Sequence, residues 1–201
     1  MATDQYDERL QNLLHTAAQV FAQQGYHATS MRDLAKATRM SLAGMYYYVR
    51  CKDELLYQIQ ERCFTDVLQG AREAAEAGTD PGDRIERLIS HHVTFFANNM
   101  SEMQVLSREA NSLTPERQDA IDGLKKQYVT LVAELIGDAQ GDAARADNRV
   151  AAYALFGMMN WIYTWYDPAG RVKPEQLAEQ FSRVFLHGIM SATATAIPQG
   201  G

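Results

Sequence analysis

Residues 40–56, MSLAGMYYYVRCKDELL, set Tyr46, Tyr47 and Tyr48 in a row between a Ser-Leu-Ala-Gly run and the cations Arg50 and Lys52. Phenol hydroxyls and ammonium groups share one use, which is donating to anionic oxygens such as those of phosphate. The charge around them fits that use. Residues 26–52 hold Arg32, Lys36, Arg39, Arg50 and Lys52 against Asp33 alone, a balance of +4 within a chain of net charge -6. Residues 1–60 match six cations with six carboxylates, whereas residues 61–201 hold thirteen against nineteen. The acidity therefore belongs to the C-terminal part, and the basic patch is where an anion would bind. Ser41, ahead of the small residues Ala43 and Gly44, suits a helix start whose free N–H groups and slim backbone approach a charged surface closely.

Other chemistries have less support. His91 and His92 are adjacent, so on a helix they point about 100° apart and cannot chelate one ion together; no metal site is expected. Cys51 and Cys63 form neither a Cys-x-x-Cys motif nor a disulfide framework, which fits a reducing cytoplasm. No nucleophile elbow, glycine-rich phosphate loop or paired-carboxylate motif is present, and no cofactor is expected. A small all-α enzyme using His92, Glu109 or Asp167 as acid or base is the weak alternative. The first residues, MATDQYDERLQ, lack a signal pattern, and no run approaches the roughly 18 apolar residues of a membrane span. The expectation is a soluble, cytoplasmic protein with no membrane partner.

The elements that must carry the patch are helical. With 201 residues and 46% apolar side chains, the chain can build one large or two small domains. Nearly every segment has helical periodicity and none reads as a strand, so the fold class is all-α. From Asp7, the series Leu10, Leu13, Leu14, Ala17, Val20 and Phe21 marks one amphipathic helix that stops at Gly25. Ser30 and Asp33 form a capping-box pattern for a second helix, and Ser41 opens a short third one through Tyr48. Such a pair of helices is a helix-turn-helix. In the third, Met45 and Val49 point inward with Leu42 close by, while Ala43, Gly44 and Tyr47 point outward. A long helix from Lys52 toward Gly78 follows, and the segment 78–83, GTDPGD, breaks it. Further helices cover 84–100, a short piece from Ser101, and 115–139. After a loop at 140–147, one very apolar helix spans 148–166 and another begins at Pro174, leaving a frayed tail, SATATAIPQGG. The domain division is 1–54, a three-helix DNA-binding head, and 55–201, a larger helical region.

The stretch from Leu10 to Leu56 resembles the DNA-binding domain of TetR-family transcriptional regulators. The matching features are AAQVFAQQGYHATSMRDLAKATRMS, then Gly44, the tyrosine run and KDELL. Two positions depart: Val49 stands where a large aromatic is usual, and Cys51 stands where a capping Ser, Asn or Asp is usual. The resemblance implies double-stranded operator DNA as partner. It places Ser30 and Arg32 beside the DNA backbone, Leu42, Ala43 and Tyr46 to Tyr48 on the recognition helix, and Lys52 on a phosphate. Ser41 and Gly44 join this set, as do Arg32 and Arg39 as the candidates for bidentate base contacts. Leu42 has two readings, inward by periodicity and base-facing by resemblance.

A single helix-turn-helix reads few base pairs, so such heads work in pairs. The resemblance implies a homodimer joined by the last two helices, with Trp161, Trp165, Phe181, Val184, Phe185 and Gly188 at the interface; the plainer reading makes both helices monomer core. It also implies an effector pocket, here with Phe96, Met103, Leu106, Tyr128, Phe156, Met159, Asn160 and Tyr163 as lining candidates, each of which reads first as a core position, and with Arg108 as a candidate cation near its mouth. Asn160, an amide on an apolar helix, needs a partner. The segment LFGMMNWIYTWYDPAGRVKPEQLAEQF is similar to a subset of the family that responds to acyl-CoA thioesters, for which Arg108, Arg117, Lys125 and Lys126 are the candidate cations for the CoA part. The expected function is a repressor released from its operator by an effector. A multidrug-sensing regulator with an aromatic or cationic ligand is the alternative, and it requires buried acidic residues; Glu102 and Glu109 are the acids on the segment between the pocket helices.

Overall fold

The computed structural model describes residues 2–141 and 147–190. Among these it contains α1 (Ala2–Gln24), α2 (Met31–Ala37), α3 (Leu42–Tyr46), α4 (Lys52–Glu76), α5 (Pro81–Asn98), α6 (Met100–Arg108), α7 (Pro115–Gln140), α8 (Asn148–Asn160), a 3-10 turn (Trp161–Thr164) and α9 (Pro174–Met190). No strand occurs among the described residues, in agreement with the all-α expectation. The loop expected at 140–147 falls largely, and the tail from Ser191 wholly, outside them. No described helix is long and apolar enough to cross a membrane.

The described residues pack as two compact units, one within 1–69 and 95–127 and the other within 70–94 and 128–190. In the first, the inward stripe of α1 (Leu13, Leu14, Ala17, Val20, Phe21) meets Leu34 and Ala35 of α2, Met45 beside Val49, and Leu55, Leu56 and Ile59 of α4 in one buried core. Each fully buried leucine or methionine contributes about 1.5–3 kcal/mol, so this core holds the small helices that could not persist alone. Val49 is buried in it, so the smaller side chain fills the usual aromatic site. α6 adds Val105 to the same core. The second unit buries Ile85, Leu88 and Ile89 of α5, Val132 and Ile136 of α7, Ala152, Leu155 and Met159 of α8, and Leu177 of α9.

Several boundaries differ from the sequence expectation: the helix expected over 84–100 runs from Pro81 to Asn98, taking in the last three residues of the expected break, and three further differences have a plain cause. α1 begins at Ala2 rather than Asp7, because its first turns carry few apolar residues for a periodicity argument to detect. α3 ends at Tyr46, two residues short, and Tyr48 is held by a tight turn in which its N–H donates to the Met45 carbonyl at 3.0 Å. The expected single helix over 148–166 stops at Asn160 and tightens into the 3-10 turn. The run Trp-Ile-Tyr-Thr-Trp is rich in β-branched and aromatic residues, which are poor at prolonging a helix, and Pro168 forbids its continuation.

Candidate nucleic-acid interface and interior polar cluster

The helix-turn-helix is held by its own caps. Ser30 and Asp33 form a closed capping box: Ser30 N–H and Oγ–H donate to Asp33 Oδ2 at 2.9 and 2.6 Å, and Asp33 N–H returns to Ser30 Oγ at 3.3 Å. The Ser30 hydroxyl and then its backbone N–H hold the Asp33 carboxyl below its ordinary value. A serine has one hydroxyl hydrogen, and here it goes to Asp33 rather than to a phosphate. α2 ends in a Schellman motif, with Arg39 N–H donating to Lys36 O at 3.3 Å and Met40 N–H to Ala35 O at 3.0 Å. Arg39 occupies the left-handed position of that motif, φ 55°, where glycine is usual. A cation at the turn is thus retained at a backbone cost of about 1 kcal/mol. Ser41 caps α3 by accepting from Gly44 N–H at 3.0 Å, which leaves its hydroxyl hydrogen for another acceptor. A Cβ on Gly44 would lie 3.1 Å from Ser41 Oγ, so the glycine protects the cap.

Around these caps Arg32, Arg39, Ala43, Tyr46 and Tyr47 are exposed, Tyr46 by 50% and Tyr47 by 71%. Ser30 and Ser41 are exposed, and Gly44 is half-buried. Leu42 packs half-buried against the core, the placement periodicity gives it. Tyr48 is also half-buried and stacks on Tyr6 of α1 with ring centres 4.9 Å apart. The three tyrosines therefore divide: two face outward and one packs on α1.

Lys52 departs from the expectation. Its ammonium donates to the carbonyls of Tyr26 at 2.7 Å, Thr29 at 2.8 Å and His27 at 3.4 Å, and it lies 4.4 Å from the Tyr26 ring centre. All three of its hydrogens have inward acceptors, so here it closes the loop after α1 onto α4 instead of presenting a charge to phosphate. Cys51 is exposed and no cap from its thiol supports α4. Glu54 serves that helix start, accepting the Arg50 N–H at 2.6 Å.

The effector candidates fall into both units. Phe96, Met103 and Leu106 are buried and Arg108 exposed in the first. Tyr128, Phe156, Met159, Asn160 and Tyr163 belong to the second. There, Tyr128 and Phe156 meet edge-on at 4.9 Å, and both rings lie within 6 Å of His92, at 5.7 and 5.9 Å. His92 joins Tyr128 and Asn160 by hydrogen bonds. Asn160 Oδ1 can only accept, so the 3.1 Å contact assigns the ring hydrogen to His92 Nε2, and Tyr128 Oη–H then donates to Nδ1 at 2.9 Å. Burial is the main reason that the His92 pKa is lowered to about 3. Burial likewise pushes the Tyr128 phenol up. Asn160 is itself exposed, so water can satisfy it; the protein partner it takes is His92, a residue whose place in the sequence suggests only metal binding or catalysis. His91 turns instead toward Gly70, where an added Cβ would lie 2.2 Å from its ring. No group of three metal-ligating side chains occurs among the described residues.

The three acid–base candidates are committed elsewhere: His92 is locked neutral, Glu109 accepts from Ser112 Oγ–H at 2.7 Å, and Asp167 Oδ1 accepts from Ala169 N–H at 2.9 Å. Of the candidate CoA cations, Arg117 pairs with Asp53 and Lys125 with Asp122 at 3.1 Å. At the expected dimer surface, Trp161, Trp165 and Val184 are 60%, 56% and 66% exposed. Gly188 is exposed, and Phe181 and Phe185 are half-buried. Tyr153 and Val150 of α8 add to this exposed apolar set.

Comparison with known proteins agrees with this geometry. Residues 13–59 match the model of bacterial regulatory proteins of the tetR family, and residues 78–189 match the tetracyclin repressor-like C-terminal domain. The HTH-type transcriptional repressor KstR2 of Mycolicibacterium smegmatis is 24% identical over 186 residues, covering 90% of each chain. The crystal structure of AibR in complex with isovaleryl coenzyme A and operator DNA superimposes with a TM-score of 0.78 at 29% identity, covering 88% of this chain and 97% of that one. The TetR family transcriptional regulator PfmR from Thermus thermophilus gives a TM-score of 0.80 at 28% identity, covering 87% and 97%.

Proposed function

The chain belongs to the TetR family of DNA-binding transcriptional regulators and is not an enzyme, and on that premise we propose that it is a cytoplasmic, homodimeric repressor released from its operator by an acyl-CoA thioester. The observation that carries the reading is the exposed pair Tyr46 and Tyr47, the last residue and the C-cap of a five-residue helix, together with the exposed Arg32 and Arg39 of the preceding helix and turn. Residues 1–54 are the DNA-reading head, and residues 55–201 bind the effector and pair the protomers. Few of these side chains can make bidentate base contacts, so much of the affinity is electrostatic and falls steeply with salt.

Pairing is supported by the exposure of Trp161, Trp165 and Val184, with the Trp165 ring 6.4 Å from that of Phe181 on α9, since large apolar side chains left exposed in this way mark an association surface. The effector is argued from chemistry. The polar groups that meet beside Phe156 are a neutral imidazole, a phenol and an amide, which suit an uncharged acyl portion better than a cationic drug. Glu102 and Glu109, the acids a multidrug sensor would use, belong to the first unit, where they accept hydrogen bonds from His15 at 2.7 Å and from Ser112; Glu102 keeps one buried oxygen, Oε2, without a partner. AibR, with its isovaleryl coenzyme A, is a relative of this kind.

The mechanism is a coupling between two sites. The thioester favours a conformation whose recognition helices no longer match one turn of DNA, and by reciprocity operator DNA weakens the thioester equally. The test adds isovaleryl-CoA, a long-chain acyl-CoA and free CoA to the preformed complex with DNA from the gene's own upstream region. Release by a thioester and not by free CoA is expected. An operator affinity unchanged by saturating thioester would overturn the effector assignment.

A further inference from the structure

The early start of α1 brings Tyr6 against the recognition helix. Its ring stacks on Tyr48 at 4.9 Å with 27° between planes, and meets Tyr47 edge-on at 5.8 Å and 76°. Tyr47 and Tyr48 meet in turn at 5.1 Å and 89°. Three rings from two elements thus form a closed cluster in which each touches the other two. Tyr48 is its half-buried base and Tyr47 its exposed member. Tyr47 and Tyr48 also line a groove with a volume of about 460 Å³, shared with Arg9, Asn12 and Thr16 of α1, so the direction of the Tyr47 ring shapes the surface beside α3.

We propose that Tyr6 is a positioning residue for operator binding: it holds Tyr47 in the orientation in which that side chain meets DNA. The inference rests on the DNA-binding reading above. An exposed tyrosine at the C-terminal cap of a five-residue helix would otherwise sample several rotamers, and ordering it on binding would weaken the complex. An edge-on or stacked aromatic pair supplies enough to prevent this, equivalent to about three- to tenfold in affinity. Tyr6 lies outside the buried part of α1, which begins at Leu13, so its loss leaves the core intact.

The test is a double-mutant cycle on the full chain, read by fluorescence anisotropy with upstream DNA, with thermal unfolding as the folding control. Tyr6→Ala is expected to weaken operator binding about three- to tenfold, while Tyr6→Phe keeps wild-type affinity because stacking needs the ring and not the hydroxyl. On a Tyr47→Ala background, Tyr6→Ala should cost nothing further, since the residue it positions is gone. Unchanged binding by Tyr6→Ala, or losses that multiply in the double variant, would overturn the proposal. Equal loss in Tyr6→Phe would also overturn it, by assigning the hydroxyl a contact of its own. Absence of operator binding by the unaltered chain would refute the DNA-binding reading itself, and the proposal with it.

Discussion

Acidification should destabilise the fold through His92. In the folded chain its ring is buried, neutral and lowered to about pKa 3, against an ordinary 6.5. Between these values the unfolded chain binds a proton that the folded chain refuses, so stability rises with pH there. The contribution is fully present above about pH 6.5 and is lost as the pH falls toward 3. At about pH 5 the loss is about 2 kcal/mol, from about 1.5 pH units at about 1.4 kcal/mol each. Because the folded value lies well below that pH, the figure is set by the ordinary histidine value. The assay is urea unfolding at about pH 7.5 and about pH 5, on the native chain and on His92→Gln. The glutamine keeps a donor and an acceptor for Asn160 and Tyr128 but does not titrate. The other histidines contribute equally to both proteins and cancel. The native chain should lose about 2 kcal/mol more than the variant over this interval. Equal losses would show that His92 is not the neutral group described, hydrogen-bonded through both ring nitrogens.

The remaining expectations concern packing, the head and the dimer. Gly70→Ala places a Cβ 2.2 Å from the His91 ring, so it should lower Tm and cost about 1–3 kcal/mol despite alanine's better helix propensity. Lys52→Met strips the carbonyls of Tyr26, His27 and Thr29 of their shared donor. It should therefore destabilise the head, measured by thermal unfolding, and leave the salt dependence of DNA binding unchanged; a slope smaller by about one would instead make Lys52 a phosphate contact. Replacing both Trp161 and Trp165 by glutamate puts charge into the exposed apolar set, and sedimentation velocity should then show a monomer where the native chain shows a dimer.

The sequence is most informative where side chains act on their own neighbours. The Ser30–Asp33 box, the Ser41 cap and the inward pair Met45 and Val49 are local, and spacing alone predicts them. Residues acting across elements are less legible. Lys52 reads as a free cation because nothing in its neighbourhood announces three carbonyls 23 to 26 positions upstream. Tyr6 lies in a polar first stretch, and only the extra helical turns of α1 bring its ring to Tyr48. Asn160 gives a usable signal, an amide in an apolar run, yet its partner His92 lies 68 positions away and cannot be chosen from spacing. The end of α8 is hidden because apolar character persists through Trp161 and Tyr163 while the backbone tightens.

The central claim is that the chain recognises a DNA sequence through the patch around α3. It is tested most directly by anisotropy titration against DNA from the gene's upstream region and against scrambled DNA, at low and at physiological salt. The account predicts nanomolar-scale, salt-dependent binding to the upstream DNA, weaker by about a thousandfold or more for scrambled DNA, and a loss of the preference in Tyr46→Ala/Tyr47→Ala. Equal affinity for both DNAs, or a preference that survives the loss of both tyrosines, would contradict it.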